Sequence, residues 1–145
     1  LITLDPSLAI FNNSNIEPKI PWGIEANGSL IWLGYGEAEG FAVTLWGTER
    51  QAIQVVFNVE PGPARLDQQR TTEFILQNKA GVQKARQQFD RATQLTFVGE
   101  LQPGPNDFQL IVLDEPTVLK QPNGDTRPLL VLLRHITIKP LAASP

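Results

Sequence analysis

Four aromatic side chains in the first third of the chain, Trp22, Trp32, Tyr35 and Trp46, are the residues best suited to ligand chemistry. A flat ring stacks on the C–H face of a sugar, and an indole supplies that area with few rotatable bonds to freeze. Trp32 and Tyr35 stand in the run Trp32-Leu33-Gly34-Tyr35-Gly36-Glu37-Ala38-Glu39-Gly40. Its glycines let the backbone bend, and its two carboxylates can accept from hydroxyls. Trp32, Tyr35, Glu37 and Glu39 are therefore the candidate ligand-binding residues. The competing reading uses aromatic rings to close the ends of a hydrophobic core. That is the expectation for Trp22 and Trp46; for Trp32 and Tyr35 both readings stay open.

Other chemistry finds less support. A glycosidase needs two carboxyls flanking one bond, whereas Glu37 and Glu39, two apart, share one face of an extended chain. Hard oxygen ligands from loop carboxylates suit calcium, and Asp5, Asp107, Asp114 and Glu115 join Glu37 and Glu39 as candidates without diagnostic spacing. A structural calcium is the only cofactor these residues suggest. His135 is the single histidine and there is no cysteine, so neither a His cluster nor a thiolate site can form. Ser7, Ser14, Ser29 and Ser144 lie in turn-like stretches, none in the Gly-x-Ser-x-Gly elbow of a serine hydrolase. His135 reads as a structural strand residue, and no catalytic residue is expected.

The elements that must position these residues are strands. The 145 residues make one ordinary domain, and 12 Pro with 11 Gly imply many turns. In 52–60, Ile53, Val55, Phe57 and Val59 alternate with Gln54, Asn58 and Glu60, which is the period of a sheet with one buried face. The same alternation marks 40–46, 71–77, 93–101, 107–113 and 129–139, with a weaker strand at 8–11. Residues 82–91 are ambiguous: Gln-Lys-Ala-Arg-Gln-Gln favours helix by propensity, but the Asn78–Gly81 turn returns the chain as a hairpin, and a strand is expected. In the last strand Ile136 and Ile138 cannot face the core without Arg134 doing so too, unless a bulge near Leu133 changes the face. The fold class is all-β, a two-sheet antiparallel jelly-roll sandwich of about eight strands. Residues 1–21 form an N-terminal arm, 22–140 the sandwich and 141–145 a linker stub. The expected core includes Phe41, Val43, Ile53, Val55, Phe57, Phe74, Leu95, Phe97, Leu110, Val112 and Ile136.

The order of signals in 40–140, carried mainly by Thr71–Pro140, resembles the galactose-binding-like jelly-roll family, which includes many carbohydrate-binding modules. The resemblance rests on the Asn78–Gly81 turn, the strand with the late aromatic Phe89, and Leu101 followed by Gln102-Pro103-Gly104-Pro105-Asn106 and the strand 108–113. It ends at Ile136-Thr137-Ile138-Lys139-Pro140. The chain is also similar to the extracytoplasmic β domains attached to some bacterial membrane glycosyltransferases, where an Asp-x-Arg precedes the final strand as Asp125-Thr126-Arg127 does here. The resemblance implies the fold and a general role, and carries no ligand.

The net charge of −3 does not favour nucleic acid, and no apolar run approaches the ~20 residues of a membrane span. Arg65, Arg70, Lys79, Lys84, Arg86 and Arg91 interleave with Asp67, Glu73 and Asp90, as on a solvated sheet face. Methionine is absent even at position 1, so a processed chain or a piece of a larger polypeptide is expected. The leading expectation is a non-catalytic, extracytoplasmic accessory domain that binds an oligo- or polysaccharide. The alternatives are a structural or protein-interaction sandwich and, remotely, a small glycan hydrolase.

Overall fold

Alternation between apolar and polar residues becomes alternation between inside and outside. Along 53–59 every odd residue is buried and every even one is half-exposed. A computed structural model of the protein describes residues 2–11, 15–18, 24–25, 30–36, 40–62, 71–78, 81–88, 91–113 and 130–141. Within them lie eleven strands: β1 (Ile2–Leu4), β2 (Asn15–Pro18), β3 (Ile24–Glu25), β4 (Leu30–Leu33), β5 (Phe41–Gly47), β6 (Gln51–Pro61), β7 (Thr71–Asn78), β8 (Gly81–Gln88), β9 (Thr93–Leu101), β10 (Gly104–Val112) and β11 (Val131–Pro140). Sheet 1 has the order β3-β4-β11-β6-β9, with β1 also paired to β11; sheet 2 has the order β2-β5-β10-β7-β8. This is the expected two-sheet jelly-roll sandwich.

The seven long strands β5 to β11 match seven of the eight expected. The eighth, at 8–11, is reduced to an isolated bridge between Ile10 and Gly47. The four short strands β1 to β4 are additional. β1 and β2, from the segment read as an arm, pair with β11 and β5 respectively. The ambiguous segment 82–91 contains most of β8, paired with β7 in register through Asn78 and Gly81. Pairing to a neighbouring strand overrides its helical propensity.

The two inner faces meet in a core of Phe41, Val43, Leu45, Ile53, Phe57, Phe97, Leu101, Leu110 and Ile136, among others. Phe57 meets Phe97 edge-on, with ring centroids 5.8 Å apart at 79°, a favoured aromatic geometry. Every residue expected in the core is buried except Phe74, whose side chain lies outside the described set. The anticipated bulge is present: the β11–β6 register shifts between Leu133 and His135. Leu133 and Ile136 both point inward, and Arg134 is left outside to pair with Glu60 at 2.6 Å.

The β9–β10 reversal is clamped by one side chain. Asn106, buried among otherwise apolar neighbours, accepts from the Gln102 N–H at 2.9 Å. Its Nδ2 donates to the carbonyls of Leu45 (3.0 Å), Gln102 (2.9 Å) and Gly104 (3.0 Å). The residue before a proline ordinarily stays extended at negative φ, but Gly104 has φ +94°, which glycine alone reaches without strain. The reversal delivers Phe108 to the core. It also brings the Gln102 carbonyl within 2.1 Å of where a Cβ on Gly47 would stand, so that position must be glycine.

Candidate functional site

Trp32 belongs to β4, where Ile31 and Leu33 point into the core and are fully buried. Trp32 therefore projects from the outer face of sheet 1. Its cross-strand partner is Leu132 on β11, and Leu132 in turn opposes Glu60 on β6. The row across three strands is thus Trp32, Leu132, Glu60, with Arg134 at the bulge joined to Glu60. The indole is partly exposed, but its Nε1 is buried and has no hydrogen-bond partner among the described residues. A buried donor left unmet costs about 1–3 kcal/mol.

Beyond Leu33 the chain leaves sheet 1 for sheet 2. Tyr35 forms a parallel bridge to Val112, the last residue of β10, and the Gly36 N–H donates to the Val112 carbonyl at 2.8 Å. Gly36 sits at φ +84° with open space around it, so the tight change of direction needs glycine for its backbone. This crossover leaves the Tyr35 ring 43% exposed. Trp32 and Tyr35 are thus displayed at neighbouring positions of the chain, one on a sheet face and one at the crossing between sheets. Glu37 and Glu39, the other two candidates, lie outside the described residues, as does Trp22.

Trp46 corrects one expectation. It is not a core-closing ring but 38% exposed on the outer face of β5. With Phe41, Val43 and Leu45 inside, the strand period of two requires this. Phe11, 57% exposed, is a second outward aromatic.

The carboxylates among the described residues are mostly engaged. Asp5 accepts from the Ser7 amide (2.8 Å) and hydroxyl (2.6 Å); these bonds hold its carboxyl below the ordinary value, with Lys139 adding a smaller attraction. Thr44 donates to Asp107 at 2.6 Å, and Arg50 to Glu100 at 2.6 Å. Among the described residues no three His, Asp or Glu side chains gather as a metal site would require. Asp114 and Glu115 lie outside them. His135 is half-buried on β11, with its Nε2 2.9 Å from the Thr3 hydroxyl. Lys84, Arg86 and Arg91 are exposed, and Arg86 faces Glu73 across β7 and β8. No helix among the described residues is long and apolar enough to cross a membrane.

No protein-family model and no curated protein matches the chain. Among solved structures, it resembles part of a ruminal GH26 endo-β-1,4-mannanase, with a TM-score of 0.55 at 14% identity. The match covers 84% of this chain and 21% of that one, so the chain spans about a fifth of the enzyme's length. A family 35 carbohydrate-binding module from an environmental isolate aligns at a TM-score of 0.49 and 14% identity, over 97% of this chain and 96% of that one. A further one, Xyl-CBM35 in complex with a glucuronic acid containing disaccharide, aligns at 0.49 and 13% identity, over 96% and 91%. The fold is a two-sheet jelly-roll β-sandwich.

Proposed function

We propose that the chain is a non-catalytic glycan-binding domain, serving as an extracytoplasmic accessory to a larger polypeptide and holding it on an oligo- or polysaccharide. The observation that carries this reading is the display of Tyr35, 43% exposed on a glycine-bent crossover three residues after the partly exposed Trp32. Aromatic faces on a rigid scaffold bind sugar rings at low entropic cost. Glu37 and Glu39, next along the chain, would supply acceptors for hydroxyls. The fold likeness to one part of a mannanase supports an accessory role beside a glycan-active enzyme. Since one fold hosts many functions, the exposed rings bear more weight than the likeness.

Tryptophan fluorescence titration with neutral and acidic polysaccharides tests the reading. The wild type should respond to at least one, and Tyr35→Ala should weaken binding while leaving Tm nearly unchanged. Trp32→Ala should remove the part of the response that arises at this site. A purely structural sandwich behaves otherwise: no glycan changes the fluorescence, and Trp32→Ala only costs stability, by about 3 kcal/mol, through the cavity it leaves.

A further inference from the structure

The outer face of sheet 2 carries an aromatic row remote in the sequence from Trp32 and built on the opposite sheet. Ile10 bridges Gly47 in antiparallel fashion, and the Phe11 N–H donates to the Trp46 carbonyl at 2.7 Å. Phe11 and Trp46 are therefore cross-strand neighbours on one face, and Ile10 and Gly47 share the other. Trp46 in turn opposes Pro105 on β10. Phe11, Trp46 and Pro105 thus form one row across three chain segments, spanning about 10 Å at the usual strand spacing. All three are exposed.

The row has no structural task on the inner side, where Phe41, Val43, Leu45 and Phe108 already fill the core. Two built features hold it in place. The Asn106 clamp fixes the reversal that presents Pro105, and the Phe11 amide is tied to β5. In the next row, Thr44 and Asp107 are paired in register and joined by a 2.6 Å hydrogen bond through Asp107 Oδ1. That bond orients the carboxylate beside the rings.

We infer that Phe11, Trp46 and Pro105, with Asp107 and Thr44, form a second glycan subsite, for neutral sugars. This rests on the glycan-binding reading above and adds a site on the other sheet. A pyranose stacks its C–H face on Trp46, with Phe11 and Pro105 extending the platform to an adjacent ring, and a hydroxyl donates to the carboxylate of Asp107. The charge pattern selects the ligand class. Asp107, held in the row next to Trp46 and Pro105, repels anionic head groups and uronic acids but accepts from neutral hydroxyls.

Calorimetric titration of the full chain with cellohexaose, mannohexaose and xylohexaose, with polygalacturonate as the acidic control, tests it. Two sites per chain are expected for at least one neutral oligosaccharide. Trp46→Ala should remove one of them and leave the Trp32 site intact, whereas Trp32→Ala should remove the other. Phe11→Ala, at the most exposed ring, should weaken the second site about fivefold with Tm unchanged; it guards against misfolding of the Trp46 variant. Undiminished affinity and stoichiometry in both Phe11→Ala and Trp46→Ala would overturn the second subsite while sparing the first. Absence of any binding by the wild type would overturn the glycan reading itself.

Discussion

Replacing Asn106 with alanine removes the clamp of the β9–β10 reversal. The lost contacts are the bond from the Gln102 amide and those to three carbonyls, of Leu45, Gln102 and Gly104. Two amide hydrogens are shared among those carbonyls, so about three bonds are lost. Each contributes roughly 0.5–1.5 kcal/mol, and more where a buried partner is orphaned. Gln102 is exposed and water can replace part of its loss, but the Leu45 carbonyl lies in the sandwich interior. The expected cost is about 3 kcal/mol, which for a chain of this size lowers Tm by roughly 10 °C. Asn106→Asp is the sharper variant. It keeps the acceptor but turns a negative oxygen toward three carbonyls, so it should be worse than alanine at neutral pH. The folded state would raise that carboxyl's pKa, so stability should recover as pH falls toward the ordinary carboxylate range near 4, where the protonated acid donates again. Thermal melts by circular dichroism and urea titrations across pH read both effects. A Tm for Asn106→Ala within about 1 °C of wild type, or an aspartate variant insensitive to pH, would refute the clamp.

Phe57→Ala should cost about 3–5 kcal/mol in urea denaturation, because a ring 1% exposed and packed edge-on to Phe97 leaves a cavity. Asp5 has a lowered folded pKa, so its bonds to Ser7 stabilise the fold above its unfolded value near 4 and are lost as pH falls below it. Asp5→Asn should therefore flatten the acid limb of the stability–pH curve slightly, and a wild-type acid limb would speak against the Ser7 contacts.

The long strands were legible because one face of each is apolar. The conflict between Arg134 and Ile136 even located the bulge, since a side-chain period of two admits no other resolution. The short strands Ile2–Leu4 and Asn15–Pro18 were not legible: three or four residues carry too little periodicity, and these pair because long edges of β11 and β5 await them. Gly104 escaped the rule for residues before proline because it lacks the Cβ on which that restriction largely depends. Of the candidate site, the glycine-rich run leaves open whether Tyr35 is exposed or closes the core, and the crossover to Val112 is what exposes it. The parity of β5 places Trp46 outside, and the pairing of Phe11 with it depends on a long-range register that local sequence does not encode.

Glycan binding on the displayed aromatic side chains is what the proposed function requires of this sandwich. Affinity electrophoresis of the full chain through native gels containing galactomannan, arabinoxylan, xyloglucan, mixed-linkage β-glucan or pectin tests that most directly. Retardation, relative to a non-binding reference protein, is expected in at least one of these gels, with a smaller shift in the Trp32→Ala/Tyr35→Ala double variant and none once Trp46→Ala is added. Migration of the wild type with the reference in every gel would contradict it.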